Sequence, residues 1–287
     1  LLPGTRQLDA AALAHLPGLA QRLPPLLEPR EWLGRVEPAA ALRFGLPPGL
    51  PVSVGAGDNI ASAIGSGVLA PGRAALSLGT SGTLFGYSDR PLRDPKGWIA
   101  DFLGSAGGHL PLLCVMNMTG VAEAVRNASG LDHGELTRRA AAEQPGAGGL
   151  MWMPFLCGER VPDLPQARGA LLGMGPSALE PGPLYRAALE GTSLNLAAGA
   201  ARMRELGLTL EQLSLVGGAA RNPLWARILA NALDLPVTPL EEPETAALGV
   251  ALQAAWALAG SRGERLELGA LAHRFAGGGG PPIEPDA

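Results

Sequence analysis

The sequence predicts an α/β fold in which helices flank a mixed sheet. The chain has 287 residues, of which 47% are hydrophobic, and this is enough for one large domain or two ordinary ones with a substantial core. Two apolar strands separated by a short glycine turn come first, and strands then alternate with helices. That order of elements is typical of an α/β or mixed-sheet domain.

The first part of the chain is expected to form only short elements. Proline, leucine and arginine are frequent there, and short helices near 9–16 and 39–44 are predicted between proline turns. A short apolar strand at 52–54 leads into a glycine turn. Small residues at helical spacing over 59–67 predict a helix that packs closely on a sheet.

From residue 73 the elements become longer. Strands at 74–78 and 83–87 are predicted to form a hairpin around a turn at 79–82. Further strands are predicted at 110–115, 151–155, 169–172, 213–216 and 236–238, and helices at 119–128, 134–143, 183–206, 223–233 and 244–258. The longest helix has Pro183 near its first turn and Gly207 just past its end. Residues 276–287 are rich in glycine and proline and are expected to be disordered.

Composition excludes several classes of function. The net charge is −4 and no basic block occurs, so nucleic acid is not an expected partner. No apolar run approaches the ~18 residues of a membrane span. Cys114 and Cys157 are expected to be reduced thiols in a cytoplasmic protein. Lys96 is the only lysine and lies in a turn, which excludes a Walker A loop. The four histidines are scattered without metal-ligand spacing, so no metal-ligating residue is predicted.

One carboxylate stands out, in the phrase Gly55-Ala56-Gly57-Asp58-Asn59. Asp58 follows a strand and a Gly-x-Gly turn, where a side chain projects from a sheet edge into a cleft. A carboxylate there could accept the proton of a substrate hydroxyl that attacks a phosphate, with Asn59 beside it at the substrate. The alternative is that Asp58 caps the following helix.

A second motif is the loop Gly79-Thr80-Ser81-Gly82 at the end of a strand. Its backbone N–H groups and hydroxyls could bind phosphate oxygens, because glycine lets the backbone approach closely. An ordinary hairpin turn is the alternative. Together with Asp58, this loop is suited to phosphoryl transfer, in which one group orients a hydroxyl and another holds the phosphates.

A third motif, Val216-Gly217-Gly218-Ala219-Ala220-Arg221-Asn222-Pro223, follows another strand. Its glycines could admit the flat face of a base or a ribose, and Asn222 could bind the nucleotide or cap the helix that begins at Pro223. A fourth pair, Glu159 and Arg160, could shape the cleft or form a structural ion pair.

With these phrases in this order, the chain resembles the C-terminal part of the FGGY family of carbohydrate kinases, and within it the kinases of D-xylulose. The resemblance implies an actin-like ATPase domain of the ribonuclease H type, with ATP and Mg²⁺ as cofactors and a sugar or polyol as substrate. It implies Asp58 as catalytic base, and it implies a nucleotide site formed by Gly79, Thr80, Ser81, Gly120, Gly217, Gly218, Ala219 and Asn222.

The resemblance also implies a division of the chain. Residues 1–57 correspond to the end of an N-terminal sugar-binding domain and residues 58–275 to the nucleotide-binding domain, followed by the tail at 276–287. The family's N-terminal Asp-x-Gly-Thr phrase does not occur in this sequence. We therefore expect a C-terminal piece that is inactive alone, with a homodimer or a separate N-terminal half as partner.

Two other classes of function are alternatives to a carbohydrate kinase. A non-catalytic nucleotide-binding module would have the same loops without turnover. A dinucleotide oxidoreductase would use Gly55 and Gly57 as the first two glycines of a Gly-x-Gly-x-x-Gly motif. Ile60 stands at the third glycine position, and no acidic residue suited to bind the ribose follows in a strand about 20 residues on.

Overall fold

The computed structural model describes residues 7–276 and 279–286. Its strands are β1 (Trp32–Arg35), β2 (Pro51–Ser53), β3 (Gly72–Leu78), β4 (Gly82–Gly86), β5 (Ile99–Leu103), β6 (His109–Val115), β7 (Met151–Met153), β8 (Ala170–Leu172), β9 (Leu210–Val216) and β10 (Val237–Pro239). Its helices are α1 (Ala10–Ala14), α2 (Pro38–Phe44), α3 (Asp58–Gly65), α4 (Thr119–Ser129), α5 (His133–Ala141), α6 (Pro181–Glu205), α7 (Pro223–Leu233), α8 (Thr245–Ser261) and α9 (Leu268–Phe275).

The main sheet within the described residues has six strands in the order β10-β9-β3-β4-β6-β5. Strands β10, β9 and β3 run parallel, whereas β4, β6 and β5 pair antiparallel with their neighbours. The predicted hairpin is confirmed, since β3 pairs with β4 from Ala74 opposite Gly86 to Leu78 opposite Gly82. The sheet is therefore mixed, as the order of elements predicted.

Alternating side chains of β3 supply the core on both faces of the sheet. Leu76 and Leu78 are buried in the large cluster that also contains residues of α4 to α7. Ala75 points to the other face, where it packs with Phe85 and with Ala63 of α3. This period of two is expected of a strand covered by helices on both sides.

Helix α3 packs against helix α8 as well as against the sheet. A Cβ added to Gly65 would collide with the backbone of Thr245, and a Cβ added to Gly249 would collide with the backbone of Ala61. Helix α3 therefore packs closely on helix α8 as well as on the sheet, where close packing was expected. Its small residues also let two helix backbones approach each other.

The chain before α3 forms a small separate sheet. Strands β1 and β2 pair antiparallel, and the short helix α2 lies between them in sequence. β1 was not predicted, because its sequence Trp-Leu-Gly-Arg shows no apolar alternation. Leu33, Leu42 and Phe44 remain exposed here, at 66%, 89% and 66% of their surface.

Three other features differ from the sequence prediction. β5 and α9 were not predicted. β5 is an edge strand whose partly buried Asp101 accepts from His109 on β6 at 2.8 Å, and this polar pair interrupts the apolar pattern of the strand. The prediction of a disordered tail is wrong for residues 279–286. Ile283 exchanges two backbone hydrogen bonds with Val237, because β10 is an open sheet edge. Residues 277, 278 and 287 of that tail lie outside the described residues.

Candidate functional site

Asp58 is the first residue of α3 and is exposed. The N-cap is Gly57, which makes no side-chain capping bond, so the alternative of Asp58 as the cap is wrong. The Oδ1 atom of Asp58 accepts hydrogen bonds from the backbone N–H of Asn59 at 2.8 Å and from its side-chain amide at 3.1 Å. The carboxylate is thus available at the edge of the fold, and its only described partner is its neighbour Asn59.

The loop between β3 and β4 exposes Gly79, Thr80 and Ser81. It is a hairpin turn, in which the N–H of Gly79 donates to the carbonyl of Ser81 at 3.1 Å. It is also tied to the start of α4, because the N–H groups of Met118 and Thr119 donate to the carbonyls of Thr80 and Gly79 at 3.1 and 3.0 Å. Two backbone bonds therefore fix the loop in place.

The start of α4 carries an unneutralised helix dipole beside this loop. Its N-cap, Met118, makes no side-chain capping bond, and its first turn holds no acidic residue. Gly120 lies in the first turn beside the loop, where an added Cβ would make only an ordinary contact with the Cγ2 atom of Thr80 at 3.7 Å. A helix N-terminus of this kind favours anionic groups.

A cavity of about 550 Å³ extends from this region to the third motif. Leu78 and Thr119 line it next to the loop, and Gly218, Ala219 and Asn222 line it at the start of α7. Three of the predicted site residues therefore line the cavity, and it approaches the β3–β4 loop only through the neighbouring Leu78 and Thr119. The predicted residues that do not line it are Asp58, Asn59, Gly79, Thr80, Ser81, Gly120 and Gly217.

The turn after β9 depends on glycine at two positions for different reasons. Gly217 has φ of +93°, and a Cβ there would lie 2.8 Å from the carbonyl oxygen of Leu78, so this residue packs against the end of β3. Gly218 has open space where a Cβ would point. The first glycine therefore allows the turn, whereas the second keeps the cavity open.

Asn222 is the N-cap of α7, as predicted, and it also lines the cavity. Its Oδ1 atom accepts from the N–H of Trp225 at 3.1 Å, which makes it the N-cap of α7. Its Nδ2 atom donates to the Oγ1 atom of Thr137 at 2.9 Å, and the residue lines the cavity. One side chain thus begins the helix and forms part of the cavity wall.

Sequence reasoning missed a polar network in the same cavity. The Nε2 atom of His133 lies 2.6 Å from Oε1 of Glu123, and its Nδ1 atom lies 3.0 Å from the hydroxyl of Tyr185. A carboxylate can only accept, so Nε2 carries the proton of its hydrogen bond with Glu123. Hydrogen bonds from His133 and Arg126 lower the pKa of Glu123, and burial raises the pKa of Tyr185.

No signal in the sequence could have identified this network. Glu123, His133 and Tyr185 lie on three different helices, and only the packing of α4, α5 and α6 brings them together. Each of them alone has the appearance of a surface or core residue.

Glu159 and Arg160 do not form the predicted ion pair. The carboxylate of Glu159 is buried, and Arg160 donates to it only through its backbone N–H at 2.7 Å. The side chain of Arg160 is exposed. The two charges do not meet, because Glu159 pairs with Leu164 in a short bridge and Arg160 lies in the turn that connects them.

Helix α3, which begins at Asp58, is followed in sequence by β3, which ends at the β3–β4 loop. Ala63 of α3 packs with Ala75 of β3 on one face of the sheet. Asp58 itself lies at the exposed start of α3 and does not line the cavity beside the loop.

Metal-ligating side chains are not clustered in the part of the chain that the structure describes. It contains no group of three or more His, Cys, Asp or Glu residues able to hold a metal ion. Neither cysteine in that part is in a disulfide. Among the described helices, none combines the length and apolar character that a membrane crossing requires.

Comparison with known proteins identifies the family. The C-terminal domain of the FGGY family of carbohydrate kinases matches residues 74–258. The xylulose kinase of Haemophilus influenzae is 40% identical over 235 residues, which cover 82% of this chain and 48% of that protein. The xylulose kinase of Streptomyces rubiginosus is 35% identical over 288 residues, which cover 98% of this chain and 55% of that protein. The chain spans about half the length of these curated relatives.

Solved structures agree with this assignment. The xylulose kinase from Rhodospirillum rubrum has a TM-score of 0.83 and 31% identity, and the match covers 98% of this chain and 56% of that one. A ligand-bound xylulose kinase from Lactobacillus acidophilus has a TM-score of 0.89 at 22% identity, over 98% of this chain and 56% of that one, and shows the fold alone. The actin-like ATPase fold predicted from the sequence is thereby confirmed. The chain belongs to the FGGY family of carbohydrate kinases and contains the family's C-terminal domain.

Proposed function

We propose that this chain provides the nucleotide-binding domain and the catalytic base of an ATP-dependent kinase that phosphorylates D-xylulose to D-xylulose 5-phosphate. The observation that carries the proposal is the cavity that extends from Leu78 and Thr119, which adjoin the β3–β4 loop, to the turn after β9. The relatives named xylulose kinase support the choice of sugar. The free thiols are consistent with a cytoplasmic enzyme.

The residues present fit an adenine nucleotide. The space at Gly218 admits a flat base or a ribose beside Ala219 and Asn222. From there the phosphates would reach Gly79, Thr80 and Ser81, whose backbone is held by the start of α4. The helix dipole of α4 would favour the negative charge of the phosphates.

Magnesium would be held mainly by the nucleotide in this proposal. The described residues offer no cluster of carboxylates for a protein-only site. Mg²⁺ commonly keeps several water ligands and binds through substrate phosphates with one or two carboxylates. When bound, it would neutralise charge on the phosphates.

Asp58 would accept the proton of the attacking sugar hydroxyl. Its carboxylate is exposed at the first residue of α3, and the hydrogen bonds described for it come from Asn59. An aspartate has low intrinsic basicity, so aligning the hydroxyl would matter more than proton affinity. We propose that residues 1–57 belong to the sugar-binding domain of the whole kinase and that residues from Asp58 form the nucleotide-binding domain.

Two measurements test the proposal. Calorimetry with MgADP should show one site per chain, and absence of binding to the folded chain would reject the nucleotide site. In an active kinase that contains this chain, Asp58→Asn should lower kcat about 10²–10⁴-fold and leave MgADP affinity unchanged.

The choice of sugar is tested in the same kinase by comparing the rate of ADP release with D-xylulose against the rates with glycerol and with gluconate. Nucleotide binding without turnover on any of them would indicate a non-catalytic module instead.

A further inference from the structure

Glu159 is a buried carboxylate surrounded by neutral donors. It is only 2% exposed. Its Oε1 atom accepts from the backbone N–H groups of Met116 at 2.6 Å and Arg160 at 2.7 Å. Its Oε2 atom accepts from the side-chain amides of Asn117 at 3.0 Å and Asn195 at 3.3 Å.

This set of partners is unusual for a buried charge. In the described part of the chain, no lysine, arginine or histidine forms an ion pair with Glu159. Burying a carboxylate without a cation is unfavourable unless its hydrogen bonds compensate for lost hydration. Two of those hydrogen bonds come from one short segment, so the carboxylate holds Met116 and Asn117 in place.

That segment leads directly to the candidate phosphate loop. Met116 and Asn117 join β6 to α4, and Asn117 is fixed further by a 2.6 Å bond from its amide to the carbonyl of Gly158. The next two residues, Met118 and Thr119, hold the carbonyls of the loop at Thr80 and Gly79. One segment of four consecutive residues, 116–119, is therefore bonded to Glu159 at its first half and to the loop at its second half. Glu159 does not line the cavity itself.

We propose that Glu159 is a positioning residue that sets the β3–β4 loop and the start of α4 for the nucleotide's phosphates. This inference rests on the proposed nucleotide site. It assigns to Glu159 no contact with the nucleotide. Because only the phosphates meet the loop, loss of Glu159 should affect nucleotides with phosphates far more than adenosine.

The test compares Glu159→Gln with the unmodified chain. A glutamine presents N–H groups to at least one pair of donors, which leaves buried N–H groups without an acceptor. Calorimetric affinity for MgADP should fall roughly 10-fold or more, while adenosine affinity, measured by competition, should change by less than about 2-fold. Hydrogen exchange should accelerate at 79–82 and 116–120 and stay unchanged in α7.

A matched control is Glu190→Gln on α6. Like Glu159, Glu190 is a carboxylate that accepts several hydrogen bonds, but it is only partly buried. It accepts from Arg186 at 2.7 Å and from the N–H of Gly146 at 3.1 Å, away from the loop. This variant should lose stability without changing the ratio of MgADP to adenosine affinity. If Glu159→Gln does not fold, Asn195→Ala removes only the longest of the four bonds and should lower the same ratio by a smaller factor.

The outcomes separate the two proposals. If the unmodified chain binds no MgADP, the nucleotide site itself is rejected. If it binds MgADP and the Glu159 and Asn195 variants leave the ratio unchanged, or shift both affinities equally, Glu159 has no positioning role. A selective loss of MgADP affinity, absent in Glu190→Gln, supports the proposal.

Discussion

The side-chain amide nitrogen of Gln253 lies 3.0 Å from the carbonyl oxygen of Gly55 and also 3.0 Å from that of Pro29. Gln253 is fully buried on α8. Gly55, with φ of +74°, begins the turn that leads to Asp58. One amide group on α8 therefore fixes the turn that presents the proposed base and joins it to the first part of the chain.

Replacing Gln253 by leucine should destabilise the protein. The change leaves the carbonyls of Gly55 and Pro29 without their donor, which should lower the free energy of unfolding by about 2–3 kcal/mol. MgADP affinity should stay unchanged, because Gln253 does not line the cavity. Urea unfolding and calorimetry measure the two effects. Gln212→Leu, an exposed glutamine of β9, is the control, and an equal loss in both variants would contradict the assigned role.

Filling the cavity at Gly218 should abolish nucleotide binding without harming the fold. A Cβ at Gly218 points into open space, so Gly218→Leu should change the free energy of unfolding by less than about 0.5 kcal/mol. Calorimetry should then detect little or no MgADP binding. The adjacent Gly217→Ala should behave differently and lose about 1–3 kcal/mol, because φ there is +93°. Normal MgADP affinity in Gly218→Leu would place the nucleotide elsewhere.

The two roles of Asn222 can be separated by two substitutions. Asn222→Asp keeps an N-cap of similar strength, so stability should stay within about 0.5 kcal/mol. It replaces the donor to Thr137 by a negative charge in the cavity wall, so MgADP should bind more weakly. Asn222→Ala should lose about 1 kcal/mol through the missing cap. Thermal unfolding and calorimetry test both, and unchanged MgADP affinity in Asn222→Asp would show that the residue is only a cap.

Acid sensitivity should depend on the pair of Asp94 and Arg202, whose atoms lie 2.6 Å apart. Burial alone raises the pKa of Asp94, but hydrogen bonds from Arg202 and from the N–H groups of Lys96, Ile99 and Trp98 outweigh it. The net pKa therefore lies below the ordinary value of 3.8. A carboxyl whose pKa is lower in the folded state stabilises the fold above its unfolded pKa, and this contribution is lost as pH falls through the folded pKa.

The free energy of unfolding should thus fall as pH drops below about 4, and Asp94→Asn should make this fall shallower. At neutral pH the same variant should be less stable by roughly 3 kcal/mol, because it leaves Arg202 without its buried partner. Urea unfolding between pH 7 and pH 3 measures both effects. Asp163→Asn removes an exposed carboxylate and serves as control. An acid slope unchanged by Asp94→Asn would show that other carboxyls dominate.

Much of the fold could be predicted from local pattern. The β3–β4 hairpin follows from two apolar strands around a glycine turn, and α7 follows from Asn222 and Pro223 at its start. The misses have a common cause. β5 contains a partly buried Asp101, and its contact with His109 on the neighbouring strand explains this residue. The residues around Ile283 are ordered because β10 leaves an edge to pair with, and their partner Val237 is distant in sequence. In both cases strand pairing supplies what the local pattern does not show.

By itself the sequence determined the mixed α/β architecture and the family, because these depend on local periodicity and on the order of the motifs. Tertiary structure alone decided that Glu159 is buried against the segment that leads into α4, that Gln253 holds the turn before Asp58, and that Glu123, His133 and Tyr185 meet in one cavity. These relationships join residues 10 to nearly 200 positions apart, and only the packing of helices on both faces of the sheet brings them into contact.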